Sequence, residues 1–132
     1  YLDQLVDFGY AEKTTKILND RVTMKIRSLG AEDQLLLESI MTGVQGSAAF
    51  VVHTYTIQLL SYILKEYTTA KKVEVFKTSE EAKTFMKTQA SVIIDAILSE
   101  YNKFVNEIKT QVTPENIDAN FSTTPPTDSE LK

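Results

Sequence analysis

The chain contains no cysteine and a single histidine, His53. Those two shortages exclude a disulfide scaffold, zinc fingers, iron–sulfur clusters and thiol catalysis. They leave the redox compartment open, because a chain without cysteine suits either side of a membrane. Long apolar runs are also missing. The longest, Ala48-Ala49-Phe50-Val51-Val52, is followed by His53, Thr54, Thr56, Gln58 and Ser61. A spanning helix needs about 20 predominantly apolar residues, so none is expected. The opening Tyr1-Leu2-Asp3-Gln4 carries no basic stretch, and no signal peptide is read there. Gly43 and Gly46 fit neither glycine phosphate-loop pattern. No G-x-S-x-G nucleophile turn and no repeat of solenoid length occur. The formal charge of −4, with a pI near 5.0, argues against a broadly basic nucleic-acid surface. No metal and no cofactor is therefore expected.

What is present suits one domain of ordinary size. With 132 residues, 42% of them apolar, the chain can bury about two thirds of its unfolded surface without a staple. Residues 1–13 are weakly patterned, and Gly9 stops any helix there. From Val22 to Arg27 apolar and cationic residues alternate, the period of a strand with one apolar face. Thr14 to Leu18 precedes it across Asn19-Asp20, two residues that tolerate the left-handed turn of a hairpin. A helix follows from Gly30, led by Glu32 and Asp33, with a stripe of Leu35, Leu36 and Ile40 flanked by Leu37 and Met41. Ser47 is read as the cap of a second helix, Ala48 to Tyr67, whose apolar positions cover much of its girth. Val73 and Val75 alternate with Lys72 and Glu74, which suits a short strand in a connector.

Thr78 with Glu81 is a capping-box signature. Unbroken to Val112, the helix it opens would be about 50 Å long. A domain of this length is only about 36 Å across. Either the helix breaks near Thr88-Gln89 or one end projects onto another chain. Thr113-Pro114 restarts a short turn anchored by Ile117 and Phe121, and the polar residues after it lack the apolar content to order themselves. The expected fold is therefore mostly α. A single helical domain over 1–121 has a three-helix core, an N-terminal β-hairpin at about 14–29 and a short C-terminal helical turn. Residues 122–132 form a flexible, disordered polar tail.

Candidate chemistry is sparse. His53 could serve a Ser-His-Asp arrangement with Ser47 or Ser61 and Asp95, but a histidine in an apolar helix is more often packed or half-exposed. Asp95 sits among Ser91, Ser99 and Asn102, a solvated stripe. Glu32-Asp33 and Glu80-Glu81 fall in first helical turns, where the helix dipole alone explains them. The hairpin stretch has a local charge of +3 from Lys13, Lys16, Arg21, Lys25 and Arg27 against Glu12 and Asp20. A basic ribbon can meet phosphate, but no aromatic residue is interleaved to stack on bases.

The run Val22-Thr23-Met24-Lys25-Ile26-Arg27-Ser28-Leu29 followed by Gly30-Ala31-Glu32-Asp33-Gln34-Leu35-Leu36-Leu37-Glu38-Ser39 resembles small tail-morphogenesis proteins of tailed bacteriophages. It is most similar to baseplate-hub assembly proteins of T-even-like phages, and more loosely to phage tail assembly chaperones. The match is strongest over Thr14 to Ile40. The resemblance implies a non-enzymatic tail or baseplate protein working through protein–protein contacts, placed in the virion or in the host cytoplasm during assembly. Its partners would be other phage structural subunits or further copies of itself. Neither nucleic acid nor a membrane is an expected partner. The rival reading is a nucleic-acid-contacting accessory protein using the basic hairpin, and a small hydrolase around His53 is third. The stripe on the C-terminal helix exceeds what a three-helix core can cover. The expected interface is therefore Tyr101, Phe104, Val105, Ile108, Ile117 and Phe121.

Overall fold

The computed structural model describes residues 1–112. Five helices and four strands follow one another as α1 (Leu2–Phe8), β1 (Glu12–Ile17), β2 (Val22–Arg27), α2 (Ala31–Met41), α3 (Ala48–Ile63), β3 (Leu64–Thr68), β4 (Val73–Val75), α4 (Ser79–Lys87) and α5 (Ser91–Gln111). The strands form one antiparallel sheet in the order β1-β2-β3-β4. The fold is thus α+β, and the expectation of a three-helix core carrying a lone hairpin is corrected. The short C-terminal turn and the polar tail lie outside the described residues.

The hairpin forms as its alternation predicts. Val22, Met24 and Ile26 are buried, and Leu18, Asn19 and Asp20 all take positive φ in the turn. Lys25 and Arg27 are half-buried rather than exposed. Lys25 lies 3.5 Å from Glu12, and the Arg27 guanidinium sits 4.1 Å above the Tyr10 ring. Opposed residues share a face in an antiparallel pair. Lys13 and Thr15 therefore accompany Ile26 and Met24 on the core side, towards α5.

The second half of the sheet was hidden by a bulge. Sequence spacing continues α3 to Tyr67, because Leu64 and Tyr67 are three apart. In the fold α3 ends at Ile63 and the chain passes directly into β3. Leu64 opposes Ile26 while Glu66 opposes Lys25, so Lys65 is an extra residue in the ladder. A bulge lets residues three apart share a face. Leu64 and Tyr67 both enter the core, mimicking helical spacing. Val73–Val75 pairs with β3 as the outer strand.

The long C-terminal pattern breaks at residues 88–90, as the size argument allowed. The Thr88 hydroxyl donates to the Phe85 carbonyl at 2.6 Å, turning the chain away from the helix axis. The Thr78 hydroxyl accepts from the Glu81 N–H, and the Glu81 carboxylate accepts from the Lys77 N–H instead of from its own cap residue. Ser47 caps α3 by accepting from Phe50 N–H. The helices lie over the apolar face of the sheet, with Phe85 of α4 against Tyr67 and Phe76. Leu60, Ile63, Ile97 and Phe104 fill the centre with Met24 and Ile26.

Candidate functional site

The expected interface on α5 is for the most part this chain's own packing. Phe104 is fully buried and Tyr101 nearly so. Burial pushes the Tyr101 hydroxyl above the ordinary phenol range, against a hydrogen bond with the Leu29 backbone that pulls it down. Val105 and Ile108 pack at the core margin, half-buried. Tyr101 and Phe104 thus face this chain's own core, while Ile117 and Phe121 lie outside the described residues.

The cover comes from the weakly patterned N-terminus. Tyr1 meets Phe104 edge-to-face at 5.1 Å, and Leu5 packs on the same cluster. Polar contacts pin this lid along α5. Leu2 N–H donates to Gln111 Oε1 at 3.2 Å, Tyr1 hydroxyl to Glu107 at 3.1 Å, and Thr15 hydroxyl to Glu100 at 3.1 Å. Lys13 pairs with Glu107 at 3.0 Å. The Glu107 carboxyl is held below its usual range mainly by this ammonium, with burial opposing and the Tyr1 hydroxyl assisting. The N-terminal helix α1, which the sequence pattern did not read, and β1 of the expected hairpin lie against α5 and explain why its stripe has no surplus.

The largest group of exposed apolar residues lies on α2 and α3, with Val6 and Phe8 of α1, Leu18, Val73, Val75 and Val92 exposed elsewhere. Every residue of α3 from Thr56 to Ile63 is buried, and none from Ala48 to Tyr55 is. The helix is set in the core by one end and stands clear of it at the other. Phe50, Val52 and Tyr55 on that free half are exposed, Val52 by 63%. On α2, which packs against α3, the apolar stripe of Leu35, Leu36 and Ile40 is exposed too. Leu37, expected on its flank, is the one residue of α2 in the core. The stripe that looked like the core side is the outward one. The signal that could have shown this was the apolar girth of α3, which exceeds what a core alone would need.

The charged candidates do not converge on a reaction centre. His53 is exposed on the free half of α3. Ser61 is buried and donates to the Gln58 carbonyl at 2.6 Å, Ser47 caps α3, and Asp95 is exposed on α5. No hydrogen bond joins His53 to any of these among the described residues. Among the same residues no group of three or more His, Asp or Glu converges as a metal site would require. No helix there is long and apolar enough to cross a membrane. The basic hairpin is divided rather than massed. Lys13 is turned to Glu107 and Lys25 to Glu12, leaving Lys16 and Arg21 as its exposed cations.

No family model matches the chain, and comparisons with curated proteins and with solved structures also give no match.

Proposed function

We propose that this chain is a non-enzymatic assembly subunit that docks on other structural subunits through the α2–α3 surface. The observation that carries the proposal is α3 itself. Half of a 16-residue helix stands outside the core with Phe50, Val52 and Tyr55 in contact with solvent. Apolar surface left out of a core raises the free energy of the isolated chain in proportion to its area, and burial against a partner recovers it. The setting we propose, a phage tail or baseplate, is supported by the resemblance of the Thr14–Ile40 segment. That segment corresponds to β1, β2 and α2, and so contributes one of the two helices of the docking surface.

Site-specific photo-crosslinking in the native host tests the proposal. A benzophenone side chain at position 52 is expected to give one discrete adduct, with a structural subunit or with a second copy. The same group at the exposed Asn102 of α5 is expected to give none. Val52→Glu should abolish co-assembly while the purified variant keeps its circular dichroism spectrum. Equal adduct patterns from both positions, or a Val52→Glu variant that assembles normally, would overturn the docking surface.

A further inference from the structure

A cavity of about 400 Å³ lies between the free half of α3, α4 and the start of α5. That volume is within the range of small-molecule sites, roughly 300–1,000 Å³. Its construction is graded from floor to mouth. Ile57, Met86 and Ile94 form the floor and are buried, whereas His53 and Lys87 at the mouth are exposed and Lys83 is half-buried. No Asp or Glu lines it. The mouth therefore carries two lysines without an ion-pair partner among the described residues.

Two further features point the same way. Gln58, 4% exposed, lines the cavity, and its amide makes one side-chain hydrogen bond, Nε2 to the Tyr62 hydroxyl at 3.1 Å. The other end of that amide has no partner in the described chain. Rotating the amide keeps the Tyr62 bond, with the hydroxyl donating, and exchanges which polar atom is left free. A buried polar end without a partner costs free energy, and water or a polar group in this cavity can meet it. The start of α5 also borders the cavity at Ser91. This 21-residue helix has no side-chain cap and no acid in its first turn, whereas α2 and α4 both carry acids there. Its Ile93 and Ile94 N–H groups donate to the Ala90 carbonyl and those of the exposed Ser91 and Val92 are open to solvent, so the helix start adds only a positive field at the cavity.

We infer that this cavity binds a small amphiphilic organic anion, its apolar body on Ile57, Met86 and Ile94 and its carboxylate at the Lys83–Lys87–His53 mouth. The grading sets the orientation. An apolar chain gains by leaving water only on the floor, and a carboxylate keeps its hydration and meets cations only at the mouth. A cationic amphiphile would meet like charge, and a neutral one would leave the lysines unused.

Decanoate and decanol, which share an alkyl chain and differ in head-group charge, test the inference on the full chain by calorimetric titration below their aggregation limits. Decanoate is expected to bind saturably, one per chain, and about tenfold or more tighter than decanol. The NMR signal of the sole imidazole, His53, should shift in step with occupancy. Lys83→Gln with Lys87→Gln should weaken decanoate about fivefold or more and leave decanol within about twofold, because the lysines touch only the head group. Lys16→Gln with Lys109→Gln removes the same charge from exposed positions elsewhere and should leave both ligands unchanged. Equal affinity for decanoate and decanol, equal effects of the two double variants, or an unmoved His53 signal at saturation would each overturn the site. Unchanged circular dichroism spectra keep these readings separate from loss of fold.

Discussion

At the scale of single residues, position on a sheet face decides what a side chain is worth. Met24 and Lys25 are neighbours in sequence and point to opposite sides of β2. Met24 has no exposed surface, and a lysine there would bury an ammonium within the apolar core. Met24→Lys should lower unfolding free energy by more than about 2 kcal/mol. Lys25→Ala removes a partly exposed pair to Glu12 and should change stability by less than about 0.5 kcal/mol. Denaturant titration of both variants checks the contrast, and similar midpoints would refute the register. Glu107 supplies a pH signature. Its carboxyl titrates below its unfolded value, so its contribution is present above about pH 4.3 and lost as pH falls through the lower folded value. The partner Lys13 is raised. Burial pulls it down, but the bond and charge of Glu107 outweigh that, so its contribution is present below about pH 10.4 and lost above the folded value. Lys13→Met should therefore cost thermal stability near pH 7, and the gap to the parent chain should close when the melting series reaches pH values below Glu107 protonation.

At the scale of elements, α3 is two helices in one. Its second half is anchored on all sides, so Leu60→Ala should cost about 2–5 kcal/mol through lost burial and a cavity. Val52→Ala, two turns earlier on the free half, should stay within about 0.5 kcal/mol. The comparison separates an apolar residue held by the core from one held by nothing in the described chain, and equal costs would mean that the free half is packed after all. The junction that follows has its own logic. Ile63 ends a helix and Leu64 opens a strand with no residue between them. The extra residue at Lys65 brings Leu64 and Tyr67 onto the same buried face, keeping the apolar line of α3 continuous with that of β3.

At the scale of the whole molecule, sheet and helices share one interior. Met24 and Ile26 of β2 belong to the same cluster as Leu60, Ile97 and Phe104. Neither layer keeps an apolar core without the other, so unfolding should be a single cooperative step. Far-UV circular dichroism, which follows the helices, and tyrosine fluorescence, which follows all six tyrosines including the buried Tyr62, Tyr67 and Tyr101, should give coincident transitions; separate midpoints would mean two independent units. The uncovered apolar residues are most numerous on the α2–α3 hairpin, and others lie at Val6 and Phe8 of α1, at Leu18 in the hairpin turn, at Val73 and Val75 on the outer face of the sheet and at Val92 of α5. The helical surface groups Leu35, Leu36, Ile40, Phe50, Val52 and Tyr55 on two adjacent elements and carries the docking proposal.

Sequence alone determined what depends on neighbours along the chain. The alternation in β2, the Asn19-Asp20 turn, the Ser47 and Thr78 caps and the stop at Gly9 are all local, each a contest between a side chain and backbone groups a few residues away. All of them stand in the fold. Length left two outcomes for the long C-terminal pattern, a break near Thr88 or a projecting end, and the tertiary structure decided for the break. Only the tertiary structure decided which apolar stripe faces inward. Leu36 and Leu37 are equally apolar, and the pattern cannot distinguish them. What turned Leu37 inward was the position of α3, and Leu36 is free because no other element among the described residues covers that side. The same holds for α5. Its stripe looked excessive until α1 and β1 came back over it from more than 80 residues away. Burial is a sum over contacts from the whole chain, and the bulge at Lys65 shows how one distant pairing can make a strand carry the spacing of a helix.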